Sequence, residues 1–359
     1  MSTRATRNSL AFDSTIENVK SKIKNRNGWT RRAFLKRLTL AGTAAVFGLE
    51  SDAVAAEPPL ETTTLRLAQS TSTCQAAVYV AEELLRAEGF TDVSYVKQPG
   101  SRLYKSLGSG EVDISVTFVA PFILEVDTAK PIVLLGGAHV GCFELVGTDR
   151  VQSLRDLKGK TVAVSALGSP GHVFLASMLT YVGLNPRQDV RWATRPLSDS
   201  VQLLAERKID AFMIVPPITQ ELRAKRIGHV VVNTTTDRPW SQYFCCMVAA
   251  NREFVRKNPI ATKRAFRAIL KGDAMCALEP ERSAKLLVNK KITTEYEYVV
   301  QMMKELPYGK WREYDPEDTV RFYSLRLNEA GMIKSSPQKI IAQGTDWRFL
   351  SELKKELKA

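Results

Sequence analysis

The sequence predicts an α/β protein of two lobes, each built on a mostly parallel sheet, joined by two crossing strands and completed by C-terminal helices. Two observations carry that expectation: a duplication at a fixed offset of 97 residues, and a change to helical patterning beyond Asn258. Thr64-Leu65-Arg66-Leu67-Ala68 and Thr161-Val162-Ala163-Val164-Ser165 each read as a strand that passes through a small polar turn into an apolar-periodic helix. Asp92-Val93-Ser94-Tyr95-Val96 matches Asp189-Val190-Arg191-Trp192-Ala193, and Val112-Asp113 matches Ile209-Asp210, at the same spacing. Each third strand soon meets proline, Pro121 in one copy and Pro216-Pro217 in the other, followed by a helical stretch and a further apolar strand at 132–135 or 230–232. Strands alternating with helices demand parallel pairing with helical crossovers.

In chain order, residues 1–56 come first and read as an export signal. A basic start leads to Thr30-Arg31-Arg32-Ala33-Phe34-Leu35-Lys36, then to an uncharged run at 38–49. That run is shorter than the ~20 apolar residues a membrane span needs. Ala53-Val54-Ala55 offers small residues at signal-peptidase spacing, which places cleavage near Ala55 or Ala56. The tract resembles the twin-arginine consensus, which implies export of the folded chain by the twin-arginine translocase. No cysteine follows the run, so no lipid anchor is expected. Ten of the 51 Lys/Arg and four of the 38 Asp/Glu fall in this segment, so the mature part carries +7 of the formal +13. No dense basic block interleaved with aromatics remains, which argues against nucleic-acid binding. No second long apolar stretch follows, so a soluble mature protein is expected.

Residues 57–142 then form lobe one and 143–243 lobe two, and 244–359 return to lobe one with the C-terminal helices. Cys142-Phe143-Glu144-Leu145-Val146 reads as the strand that carries the chain across, and Tyr243-Phe244-Cys245-Cys246-Met247-Val248 as the strand that brings it back. Beyond it, Asn258-Pro259 and Asp315-Pro316 are helix-start signatures, while Gly272, Gly309 and Gly331 are expected to interrupt the helices.

Ligands of open α/β sheets bind beyond the carboxyl ends of the strands, so the turns after each first strand are the candidate site. In lobe one that turn holds Ser70, Thr71, Ser72, Thr73 and Cys74; in lobe two it runs through Gly168, Ser169 and His172. Both turns open helices, whose N-termini offer unpaired N–H groups and partial positive charge to an anion or strongly polar solute. Ordinary N-capping is the competing reading for each hydroxyl. Thr117 and Phe118 end the third strand, His139 precedes the first crossing, and Trp240 and Tyr243 stand at the second, where aromatics stack on a ligand or pack the hinge. Arg102 and Arg195 begin the loops after the second strands and are further candidates for a charged contact.

Other chemistries find no support. Gly159-Lys160-Thr161 imitates the end of a phosphate-binding loop, but Leu154 stands where glycine is required and the tripeptide precedes a strand. The three histidines, His139, His172 and His229, are scattered, and there is no Gly-x-Ser-x-Gly elbow. The five cysteines have neither disulfide-framework nor zinc-site spacing, so no metal or cofactor is expected. Cys142 and Cys245 or Cys246 lie on the two crossing strands, and a disulfide between Cys142 and one of them is an expectation open to thiol counting.

Gly110-Glu111-Val112-Asp113, Leu154-Arg155-Asp156-Leu157-Lys158-Gly159-Lys160, Ala166-Leu167-Gly168-Ser169-Pro170-Gly171-His172 and Arg238-Pro239-Trp240-Ser241-Gln242-Tyr243-Phe244-Cys245-Cys246 give the mature chain its resemblance to a known family. It resembles the nitrate/sulfonate/taurine class of periplasmic solute-binding proteins of ABC importers, the family that also resembles thiamine-pyrimidine synthases. The resemblance implies a two-lobed periplasmic-binding-protein fold and a periplasmic receptor, not an enzyme, that passes a small-molecule ligand to an ABC permease and ATPase in the inner membrane. The synthase relatives imply the alternative of a metal-dependent enzyme with a cysteine-rich iron site. Here only Cys245-Cys246 stand together, on a strand where adjacent side chains are expected to face opposite ways. A periplasmic sensor subunit is the third reading.

Overall fold

The computed structural model describes residues 57–70, 72–98 and 102–357, and residues 58–357 belong to one compact unit. The segment read as a twin-arginine signal, and Thr71, lie outside the described residues. The first series runs β1 (Thr64–Gln69), α1 (Ala76–Val80), α2 (Glu82–Ala87), β2 (Asp92–Lys97), α3 (Arg102–Ser109), β3 (Ile114–Phe118), α4 (Val119–Asp127) and β4 (Ile132–Val140). After β5 (Glu144–Gly147) the second runs β6 (Thr161–Val164), α5 (Pro170–Tyr181), β7 (Arg191–Thr194), α6 (Leu197–Ala205), β8 (Ala211–Ile214), α7 (Ile218–Lys225) and β9 (His229–Asn233). Then come β10 (Phe244–Asn251), α8 (Arg252–Lys257), α9 (Pro259–Leu278), α10 (Pro280–Asn289), α11 (Tyr296–Glu305), α12 (Pro316–Glu329), α13 (Pro337–Gly344) and α14 (Arg348–Glu356).

Two five-stranded sheets result, ordered β2-β1-β3-β10-β4 and β7-β6-β8-β5-β9. Within each, the first three strands are parallel, and one strand, β10 or β5, runs antiparallel to both of its neighbours. The odd strand in each sheet is the one that arrives from the other sheet. β4 ends at its sheet's carboxyl edge, so β5 enters the second sheet from that same side and runs against the others; β9 and β10 repeat the relation in reverse. This geometry turns the carboxyl ends of both parallel sets toward each other.

The duplication is visible in bonding as well as in order. The Asp113 N–H donates to the Arg66 carbonyl at 2.8 Å and its Oδ2 accepts the Arg66 N–H at 2.7 Å, while Asp210 makes the same reciprocal pair with Thr161 at 2.8 and 2.8 Å. Arg66 is therefore the counterpart of Thr161, and Leu67 of Val162, an offset of 95 in the first strand. Tyr95 opposite Leu67 and Trp192 opposite Val162 keep the offset of 97. The second copy thus has two extra residues between its first and second strands.

Among the C-terminal helices, Asp315 caps α12 by accepting the Glu317 N–H at 2.8 Å. Gly272 was expected to interrupt a helix and does not: α9 runs through it. A Cβ there would come within 2.5 Å of the Ala77 carbonyl oxygen, so the glycine serves the close packing of α9 on α1. No helix of the described residues is long and apolar enough to cross a membrane. Aromatic packing joins the two sheets: Phe118 at the end of β3 stacks on Phe174 of α5 at 4.6 Å, and Tyr323 of α12 meets both rings edge-on.

Candidate functional site

A cavity of about 250 Å³ lies where the carboxyl ends of both sheets meet. Ser70, Ser72 and Gln98 line it from the first sheet's turns and Thr117 from the end of β3; Ser165 and Ser169 line it from the second sheet's turn. Ser70 directly follows β1 and Ser165 directly follows β6, so the corrected register makes them counterparts. Between these polar groups stand Leu103, Phe118, Phe143, Leu197, Met213 and Ile214. No Lys, Arg, His, Asp or Glu lines the cavity among the described residues.

Ser169 is the N-cap residue of α5, whose Pro170 occupies the first turn at no cost because that N–H has no helical partner. Its Oγ makes no cap bond; it is buried without a hydrogen-bond partner. The turn is held instead by His172, whose Nδ1 accepts the Gly168 N–H at 3.1 Å while the ring packs edge-on against Trp192 at 4.7 Å. Burial lowers the His172 pKa and keeps the ring neutral, as an acceptor must be. Gln98 donates through Nε2 to Glu111 at 2.9 Å, leaving Oε1 buried and unpartnered.

Of the residues singled out from sequence, Ser70, Ser72, Thr117, Phe118 and Ser169 line this cavity. Gly168 and His172 shape the turn beside it. Thr73 faces the core, its hydroxyl 3.9 Å from the Met302 sulfur. Trp240 packs edge-on against Phe174, Tyr181 and Phe322, and Tyr243 stacks on Phe322 at 3.9 Å. These two aromatics pack the second crossing against α12 and stand away from the cavity, because the short 3₁₀ turn of Trp240–Gln242 directs Trp240 into the core. Arg102 bonds Glu111, and Arg195 its neighbour's carbonyl, both exposed. His139 is buried behind the cavity wall.

Gln75, Gln98, Ser165, Cys142 and Cys246 line the cavity without having been singled out as ligand contacts, and Cys74, from the turn after β1, lines it too. Ser165 is identified as the counterpart of Ser70 only through the corrected register. Cys74, His139 and Cys246 bring their ligand-capable atoms within 4.8 Å of one another, and Cys142, Cys245 and Cys246 form a second such group. Cys246 lines the cavity and Cys245 does not, yet their sulfurs lie within 4.8 Å of each other, and pairing of β10 with β4 shifts register on both sides of Cys246. An irregularity of that kind re-aims a side chain that regular pleating would turn away. All five cysteines are free thiols, with Cys142 Sγ 3.3 Å from Cys245 Sγ. Contacts from Cys142, Cys245 and Cys74, opposed by burial and aided by the charge of His139, hold the Cys246 thiol well below its ordinary range.

Cys142 has φ +106°, and Gly141 before it φ +71°. The chain thus leaves the first sheet through two left-handed residues, which glycine tolerates and cysteine does not. On the far side of the crossing, Glu144 of β5 meets Arg223 of α7 at 3.4 Å, and Arg223 meets Glu305 of α11 at 2.5 Å. Burial raises the Glu144 pKa against the pull of Arg223.

Comparison with known proteins agrees with this architecture. The nitrate/nitrite binding protein NrtA of Nostoc sp. is 21% identical over 261 residues, 65% of this chain; the chain spans 59% of that relative's length. Among solved structures, the periplasmic nitrate-binding protein NrtA of Synechocystis superposes with a TM-score of 0.67 at 16% identity, covering 84% of this chain and 90% of that one. The periplasmic aliphatic sulphonate binding protein SsuA of Escherichia coli superposes with a TM-score of 0.65 at 18% identity, covering 80% and 94%. The fold is the two-lobed α/β fold of periplasmic binding proteins, and since residues 56–288 match the NMT1-like family, the chain belongs to that family.

Proposed function

We propose that this protein is the solute-binding receptor of an ABC importer, holding a small polar or anionic organic solute of the sulfonate, taurine, nitrate or pyrimidine type between its two sheets. One observation carries the reading: hydroxyl and amide groups from both sheets line one cavity, and two of them, Ser169 Oγ and Gln98 Oε1, are buried without a protein partner. Buried polar atoms are ordinarily bonded, so such a pair points to a solute or water that completes them. With no charged side chain in the described wall, a bound anion is stabilised by dipoles: hydroxyl donors and the N-terminus of α5. The apolar part of the wall favours a solute with a carbon skeleton over a bare inorganic ion.

Contacts from both sheets stabilise the closed state over the open one, which is how a receptor signals occupancy without turnover. Its partners are then an inner-membrane permease and ATPase. Export by the twin-arginine translocase, with cleavage near Ala55 or Ala56, delivers the receptor to the periplasm. Matches to nitrate- and sulphonate-binding proteins support the class of solute.

The test is thermal unfolding of the purified protein against nitrate, taurine, alkanesulfonates, small carboxylates and pyrimidines, because binding to the native state raises apparent stability. One class is expected to raise the midpoint saturably, and Ser169→Ala to weaken that ligand about tenfold. No stabilisation by any class overturns the proposal.

A further inference from the structure

The cluster of soft ligand atoms behind the cavity carries an inference independent of the receptor reading. We propose that Cys74 Sγ, Cys246 Sγ and His139 bind one thiophilic divalent metal ion of the zinc type, with the remaining coordination position directed at the cavity.

Three separate elements bring these groups together: the 3₁₀ turn Thr73–Gln75 after β1, strand β4, and strand β10 at its register shift. Their ligand-capable atoms lie within 4.8 Å of one another. Zinc–sulfur and zinc–nitrogen bonds of about 2.3 and 2.0 Å put these ligands roughly 3.5–3.8 Å apart in a tetrahedron, so a contraction of at most about 1.3 Å closes the site. The fold supplies the required orientation for the imidazole. His139 Nδ1 stands 3.1 Å from the Val140 carbonyl, a contact that places the ring proton on Nδ1. Nε2 is left as the ligand-capable nitrogen, buried and without a hydrogen-bond partner, in a residue 2% exposed. Metal-bound histidines are characteristically held by such a bond from their other nitrogen.

Charge selects among ions. Two thiolates and a neutral imidazole sum to −2, so a divalent ion gives a neutral assembly, the form that burial penalises least. The second group, Cys142, Cys245 and Cys246, lacks a nitrogen ligand, and three thiolates with a divalent ion leave a net negative charge in the core. Soft sulfur donors exclude magnesium and calcium, which require oxygen. Only deprotonated sulfur and unprotonated imidazole nitrogen bind the metal, so affinity falls with acidification. Cys74 and Cys246 line the cavity and His139 does not, so the fourth position opens toward the cavity space.

The test uses the full-length protein, reduced and stripped with chelator, then titrated with Zn(II) against a chromophoric competitor and separately with Co(II). The expected result is one ion per chain, with Co(II) showing tetrahedral ligand-field bands and sulfur-to-metal charge-transfer absorption from two thiolates. Cys74→Ser, Cys246→Ser and His139→Gln each lower affinity at least about tenfold, while Cys276→Ser, at a buried cysteine outside both groups, leaves it unchanged. Should the variants fold poorly, the wild-type Co(II) spectrum still decides. Less than about a tenth of an equivalent bound, or an octahedral spectrum without charge transfer, overturns the proposal. Neither result touches the solute test, which reads thermal stability against organic ligands.

Discussion

Cys142 Sγ stands 3.3 Å from Cys245 Sγ, so the segment that leaves the first sheet touches the strand by which the chain comes back. Both thiols are buried and reduced. Two thiols at this separation are one small movement from a covalent link, in which each loses a hydrogen to a dithiol oxidant such as diamide. Oxidation is expected to give a single disulfide, leaving three thiols to alkylate, and Cys245→Ala to prevent it. Closing a loop between positions 103 apart constrains the unfolded chain and stabilises the fold by up to about 5 kcal/mol. Intact mass after alkylation without reductant gives the thiol count, and five alkylated cysteines after oxidation end the idea.

That contact also marks the limit of what the sequence discloses. The two sheets, the crossing strands and the hydroxyl-rich turns follow from periodicity and the repeat, because strand order and chain direction are consequences of local pattern. Ser165 and the true counterpart of Arg66 follow only once pairing is known, since two residues inserted between strands move the match without changing its appearance. Cys74, His139 and Cys246 are far apart in the chain, and the pairing of β10 with β4 is irregular beside Cys246. Nothing local encodes such a meeting. Trp240 and Tyr243 were legible as crossing residues, but whether an aromatic packs or binds depends on Phe322 in α12, a partner about 80 residues away.

Arg223 ties the second sheet to the C-terminal helices through Glu144 and Glu305. Arg223→Ala leaves the nearly buried Glu144 carboxylate without its cation, an expected loss of about 1–3 kcal/mol. Adding Glu144→Gln to that variant restores most of the loss if the pair is coupled. A double-mutant cycle by denaturant unfolding measures it; additive losses would show that the arginine acts elsewhere.

His172 sets an expected acid limit. Its pKa is lowered by burial, so the folded protein takes up the proton less readily than the unfolded chain does. The stabilisation this gives is complete above the unfolded value near 6.5 and is lost as pH falls through the folded value. Protonation also removes the acceptor for the Gly168 N–H, loosening the turn that presents Ser169. Solute affinity should therefore fall on the acid side together with stability. His172→Asn, which keeps an acceptor but does not titrate, should flatten both profiles between pH 5 and 7, the range about the ordinary histidine pKa; an unchanged pH profile in that variant would assign the effect to another group.

Gly141 makes the most demanding backbone requirement at the crossing. Its φ is +71°, and a Cβ there would lie 2.3 Å from Thr235 Oγ1 and 2.6 Å from the Thr235 Cα. Rotating the threonine side chain relieves the first clash but not the second, because the Cα belongs to the backbone. Gly141→Ala thus combines left-handed strain with a displacement of the segment after β9, and a loss of at least about 2 kcal/mol is expected. Thr235→Ala in the same background removes only the hydroxyl contact and should recover little of it. The same shift moves Cys142, whose N–H donates to Thr235 Oγ1 at 3.3 Å, away from Cys245. Diamide should then fail to form the disulfide in Gly141→Ala even where the variant is folded. Normal disulfide yield in a destabilised Gly141→Ala protein would separate the two effects and confine the glycine's role to backbone strain.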